Sequence, residues 1–253
     1  MQMNGRENKG LSGSRGRAVI AVTAALLVLA AAAAGFSAWY IAGTQSYSFG
    51  GNVVVEEIIG GSAEVKLSSG QQPQNIVYGA PVEATNAGGW LYSDGLSQEN
   101  LSVTYSFDFV GVTAATAFAI DVSVSDINAG GAVYNSPFGS QFNNKRASYR
   151  AAVDGGYIAD VSEVEIDYTQ SDGVVFNFDG DTIGFNGTAA ECTAELTFTF
   201  SWGGAFNGQN PYYTYRDITD EDERLAAADT LAYIEACLSG VTYSITFTPV
   251  ANI

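Results

Sequence analysis

The amino-acid sequence predicts an all-β protein, an antiparallel β-sandwich with one helix in its C-terminal region. Three observations carry that expectation. Several segments alternate apolar and polar residues with period two, the pattern of strands with one face buried and one face wet. The composition suits strands and turns: 14 Tyr, 14 Phe and 29 Gly stand against only 15% charged residues, whereas helical bundles need Lys, Glu and Arg on their exposed faces. Asp-Gly and Gly-Gly pairs fall where turns are needed. With 253 residues, 47% of them apolar, the chain has the material for one large β domain.

In chain order, the first signal is for export. Arg6, Lys9, Arg15 and Arg17 precede residues 18–42, AVIAVTAALLVLAAAAAGFSAWYIA, which carry no charge. A basic start, an apolar run and small residues after it make a secretory signal. The same run is long enough to span a bilayer, for which about 20 residues suffice, so an uncleaved anchor with its basic end in the cytoplasm is the alternative. Either way the rest of the chain lies outside the cytoplasm, secreted or at the cell surface. Small residues from Ala30 to Ala34 and the sequence Phe36-Ser37-Ala38 before Trp39-Tyr40 offer cleavage points.

Residues 39–50 are aromatic, β-prone and uncharged, and Asn52–Ile59 reads as a strand. Leu101, Val103, Tyr105, Phe107 and Phe109 alternate with polar neighbours, as do Phe118, Ile120, Val122 and Val124. Residues 129–151 are the least strand-like and read as a long surface loop, whose Lys145, Arg146 and Arg150 offer positive charge to an acidic neighbour. Asp179-Gly180 between residues 174–178 and 182–185 marks a hairpin. Leu196, Phe198 and Phe200 give another strand, and Val241, Tyr243, Ile245 and Phe247 the last one. Pro249 falls near the chain end, where a missing N–H does least harm to a ladder. Between these two strands Thr219 is the expected helix N-cap and Asp222 completes a capping box. Leu225, Ala228, Leu231, Ile234 and Leu238 form the stripe expected against the sandwich, and Gly240 the C-terminal stop.

Charge and residue usage exclude several functions. Four of the ten Lys and Arg and one of the 27 acids lie before residue 18, leaving six basic against 26 acidic residues in the body. Such a body repels phosphate backbones, so nucleic acid is not an expected partner. The chain has no His, which removes Ser-His-Asp and Cys-His catalysis and the His-based zinc protease motif. Cys192 and Cys237 read as one disulfide in an exported chain, or else as two buried thiols. The bond would close a loop of about 45 residues and contribute roughly 3–4 kcal/mol. Asn177, Asp179 and Asp181 place oxygen ligands at alternate positions, a weak calcium signal that a plain Asp-Gly hairpin also explains. The acidic run from Asp217 to Glu223 suits a helix start. Trp90 and Trp202 are candidates for a sugar-stacking surface, with core packing the plainer alternative.

The stretch GFSAWYIAGTQSYSFGGNVVVEEI resembles the signal-peptide end and first strand of the TasA and camelysin group, exported proteins processed by the signal peptidase SipW. The segments SWGGAFNGQNPYYTY and SGVTYSITFTPVANI are also similar to members of this group. The resemblance implies a signal peptide over residues 1–38 cleaved between Ala38 and Trp39, although Phe36-Ser37-Ala38 departs from the group's small-aromatic-small order. It implies an extended segment over 39–50 and a jelly-roll-like sandwich over 51–253. It also implies a structural, non-enzymatic subunit of extracellular matrix fibres, as in biofilms, in which the freed segment adds as a strand to the next copy. Trp39, Tyr40, Ile41, Tyr47 and Phe49 would serve as the donor strand. The expected partners are then other copies of the chain and the signal peptidase, with no cofactor. Membrane contact would come only through residues 18–42, before or without cleavage. A surface-anchored binding module and a pilin-like subunit that keeps its apolar helix are the alternatives.

Overall fold

A computed structural model describes residues 39–43, 63–72, 74–79, 81–86, 89–93, 99–125, 132–136, 141–172 and 176–251. The N-terminal apolar run up to residue 38, the expected strand at 52–59, the Gly130-Gly131 pair and the expected donor residues Tyr47 and Phe49 lie outside these.

Among the described residues two larger sheets make up the body. The first has six strands in the order β11 (Phe176–Asp179), β12 (Thr182–Phe185), β7 (Thr116–Ser125), β14 (Thr242–Ala251), β1 (Trp39–Gly43) and β3 (Asn75–Tyr78). The second has four, in the order β10 (Glu165–Asp172), β13 (Ala189–Thr199), β6 (Ser102–Val112) and β2 (Glu64–Leu67). Two small hairpins, β4–β5 (Val82–Asn86 and Gly89–Ser93) and β8–β9 (Ala132–Tyr134 and Lys145–Ala147), stand apart. Among the described residues every strand pairing is antiparallel except that of β1 with β14.

The alternation read from the sequence is the packing. Val103, Tyr105, Phe107 and Phe109 on β6, Phe118, Ile120 and Val122 on β7, and Leu196 and Phe198 on β13 are all buried. Their polar neighbours form the outer faces, where hydroxyls meet across the ladder: Thr104 with Thr197 at 2.9 Å, Ser102 with Thr199 at 3.0 Å and Ser123 with Ser244 at 2.8 Å. The two inner faces meet through rings. Phe107 lies edge-on to Phe247 at 4.8 Å, and Phe109 touches Phe118, Phe185 and Phe247 at 5.2–5.9 Å. The Asp179-Gly180 hairpin forms as expected, with Gly180 at φ 63°, a left-handed conformation that suits glycine.

Among the described residues three α-helices join the sheets: α1 (Tyr149–Asp154), α2 (Tyr212–Tyr215) and α3 (Glu221–Leu238). The N-cap of α3 is Asp220 rather than Thr219. Its carboxylate accepts from the N–H groups of Asp222 and Glu223 at 3.0 and 3.1 Å, and a carboxylate adds charge to the cap that a hydroxyl lacks. Ala228, Leu231, Ile234 and Leu238 are buried, but Leu225, at the helix start, is exposed.

Residues 129–151 are not a plain surface loop. Their described part folds as β8–β9 and the start of α1, clasped onto α3. Phe142 stacks on Tyr233 at 4.3 Å, the Tyr233 hydroxyl donates to the Arg146 carbonyl at 2.7 Å, and Phe142, Ala147 and Tyr149 are buried. Pro249 lies inside β14, across from Phe118 and before the paired Val250 and Ala251, so a residue that cannot donate to a ladder sits within the strand.

Candidate assembly site

The lead segment does not hang away from the body. Residues 39–43 are an inner strand of the six-stranded sheet. On one side Trp39, Tyr40, Ile41 and Ala42 pair antiparallel with Tyr78, Val77, Ile76 and Asn75. On the other side Ala42 and Gly43 pair parallel with Thr242 and Tyr243. This register sets Trp39 and Ile41 across from Tyr78 and Ile76, the two β3 residues buried in the core. Helix α3 lies beside the same strand. Trp39, Tyr40 and Ile41, the described part of the expected donor strand, thus occupy a slot in their own sheet between β14 and β3. The last four residues of the 18–42 run belong to this strand as well, and among the described residues no helix is long and apolar enough to cross a membrane.

The two walls of the slot are tied together independently of β1. Gln74, the residue before β3, donates its N–H to the Tyr105 hydroxyl at 2.8 Å and accepts at its carbonyl from the Tyr243 hydroxyl at 2.9 Å. The two hydroxyls lie 2.8 Å apart. Tyr243 spends its proton on the Gln74 carbonyl, so Tyr105 donates to Tyr243 and the three groups close a ring with every donor used. The Gln74 side chain adds a second clamp. Its Nε2 donates to the Thr104 carbonyl and its Oε1 accepts the Thr104 N–H at 3.4 Å. Tyr105 and Tyr243 are each about 3% exposed, so losing either hydroxyl strands a buried polar group. Tyr105 and Tyr243 were legible as core positions of alternating strands, but nothing in the sequence marked Gln74 or the ring it completes.

The outer edges of both sheets are guarded in ways that discourage further strand addition. β2 has four residues and a Lys66–Glu64 ion pair at 2.8 Å. β10 carries exposed Glu165 and Asp167 and a bulge between Tyr168 and Gln170. β11 has four residues, with Asn177 and Asp179 exposed. The far side of β3 is met by Asn100, which exchanges two backbone hydrogen bonds with Val77 at 2.8 and 2.9 Å.

The remaining candidates fall elsewhere. Cys192 on β13 and Cys237 in the last turn of α3 are both buried thiols with no bond between them, so the expected disulfide is not formed. Burial pushes the Cys192 thiol up, away from the reactive thiolate. Asn177, Asp179 and Asp181 ring the β11–β12 turn, where Asp181 accepts from the Thr182 hydroxyl at 3.2 Å. Among the described residues no three His, Cys, Asp or Glu side chains gather closely enough to hold a metal. Trp202 is buried, not a sugar platform. Its indole N–H donates to Glu99 at 2.8 Å, and Asn210 donates to the same oxygen at 2.6 Å. Arg150 is engaged within its own chain, by Asp154 at 2.9 Å and Asp160 at 2.7 Å. The α3 face toward β8 holds buried Asp229, whose Oδ1 accepts from the Ser136 and Tyr134 hydroxyls.

No family model matches the chain, and no curated protein and no solved structure matches it either.

Proposed function

We propose that the chain is an exported structural subunit of the jelly-roll kind. Copies join into extracellular fibres by placing their lead strands in one another's slots, as the resemblance to the TasA and camelysin group implies. The reading rests on that resemblance, and the position of β1 sets its condition: the strand is held inside its own sheet, between β14 and β3, so it must leave its own slot before it can enter a neighbour's. Its registered pairs with β14 are two and parallel, a pairing slightly weaker per residue than the antiparallel kind. The slot walls hold each other through Gln74, Tyr105 and Tyr243, so the strand can leave without dismantling the wall beneath it. Cleavage between Ala38 and Trp39 makes the first residue of β1 the new N-terminus, free to enter its own slot or a neighbour's. A closed monomer and an open polymer then share one set of backbone hydrogen bonds, and concentration decides between them.

Deleting residues 39–49 from the exported chain tests this. The shortened protein is expected to stay folded and monomeric, and electron microscopy is expected to show fibres from the full-length mature protein only. Unchanged fibres from the shortened protein would rule strand addition out. Mass spectrometry of the exported protein decides the alternative of a surface-anchored module: a chain still beginning at Met1 has no free lead strand to donate.

A further inference from the structure

Three residues stand in a row across the slot. Gly43 pairs with Tyr243 on one side, and because Ala42 pairs with Asn75, the position facing Gly43 on the other side is Gln74. The Tyr243 hydroxyl nevertheless reaches the Gln74 carbonyl at 2.9 Å and the Tyr105 hydroxyl at 2.8 Å. Its phenol therefore passes under β1 at the place where β1 carries a glycine. Alternation along a strand puts residues 39, 41 and 43 on one face, and Trp39 and Ile41 are registered with the buried residues Tyr78 and Ile76. A side chain at position 43 would project inward, into the volume the Tyr243 ring occupies. That ring has little room to retreat, since Tyr243 is 3% exposed and lies edge-on to Phe200 at 5.6 Å.

We infer that Gly43 is the specificity determinant of the lead strand: the slot accepts a segment of this chain, its own or a second copy's, only when no side chain stands at the register that Tyr243 crosses. Trp39 and Ile41 offer apolar content that many β-prone segments share. The glycine at a fixed distance behind them is the selective feature, because it reads against a ring locked by two hydrogen bonds. The same contact fixes register. A slip of two residues along the slot in either direction keeps the inward face but sets position 41 or 45, Ile41 or Gln45, in line with the phenol in place of the glycine.

The contact lies within one chain, and only its consequence between copies rests on the strand-exchange function proposed above. Two measurements separate them. Hydrogen exchange on the full chain is expected to show protected amides at Ile76 and Tyr78, which alternate toward β1 because Val77 pairs with Asn100, with protection falling on the order of 100-fold in Gly43→Val and by less in Gly43→Ala. Adding Tyr243→Ala to the Gly43→Val chain is expected to restore much of it by vacating the volume. Wild-type protection in Gly43→Val, or a double variant no better than the single one, would overturn the inference. In the second measurement a labelled peptide of residues 39–49 is mixed with the full chain, and its Gly43→Val version is expected to bind at least tenfold more weakly. Equal binding of the two peptides overturns the inference. If neither binds, exchange between copies fails, and the protection measurement still decides the role of Gly43.

Discussion

Polar residues buried in the sandwich do the positioning that apolar contacts leave open. Glu99 gathers the loop after β13 by accepting from both Trp202 and Asn210 on one oxygen, which turns a tryptophan readable as a sugar platform into a core residue. The sequence showed the aromatic but not its partner, since 103 residues separate the two. Tyr243 and Gln74, 169 apart, were hidden for the same reason: pairing across sheets leaves no local periodicity. Acids at half-buried positions carry a pH signature. Burial raises the Glu235 carboxyl above its ordinary 4.5, so the unfolded chain ionises it before the folded one does. Folding thus bears a cost that builds as pH climbs past the ordinary value and is complete above the folded one, and none at acid pH, where both states hold the proton. Glu235→Gln is expected to raise the melting temperature by a degree or more at pH 7, with the gain shrinking as pH falls through the raised folded value and gone once pH is below the ordinary 4.5. Thermal melts of both proteins at several pH values check this, and a gain independent of pH would assign the effect to general charge repulsion instead. Asp160 runs the other way. Hydrogen bonds from Ser162 hold it below the ordinary 3.8, so its contribution is present above that value and lost as pH falls toward the folded one.

Long strands were legible as elements because each carries its own signal. β6, β7, β13 and β14 run to ten or eleven residues, enough alternation to fix both existence and face. β8 and β9 have three residues each and no period to read. Their fold is imposed by Phe142 and Tyr233 stacking from opposite sides of the clasp. The lead strand was legible as β-prone but not as an inner strand of its own sheet, because pairing partners are a tertiary choice. Helix α3 was legible in its stripe and its stop, where Gly240 takes φ 75°, while its start slipped by one residue. Thr219 and Asp220 are both acceptable caps by type, and only the observed hydrogen bonds from Asp222 and Glu223 choose between them. The choice has a measurable consequence. Asp220→Ala is expected to cost about 1 kcal/mol of stability, and Thr219→Ala a few tenths at most. Urea denaturation of the two variants decides it; equal losses would mean that the two residues share the cap.

At the scale of the molecule, charge and the proposed strand exchange would act on different equilibria. A body with six basic and 26 acidic residues repels its copies, and under the proposed exchange every strand passed to a neighbour would bring two such bodies together. A strand docked in its own slot brings no second body near. Salt therefore separates the two states. Raising ionic strength from about 0.01 M to 1 M shortens the screening length from roughly 30 Å to 3 Å, which lowers the repulsion between copies while leaving a largely uncharged slot unchanged. Residues 39–43 carry no charge, and of the described slot walls Asn75–Tyr78 and Thr242–Ala251 carry none either. The expected outcome is faster and more complete polymerisation at high salt, followed by light scattering, with hydrogen-exchange protection of Ile76 and Tyr78 in the dilute monomer shifting little. If salt instead dissolves preformed polymers, ion pairs between copies hold them, and exposed Lys145 and Arg146 become the first positions to neutralise: a Lys145→Gln, Arg146→Gln chain would then polymerise poorly at every ionic strength, whereas under strand exchange alone it polymerises as readily as wild type once the charge is screened.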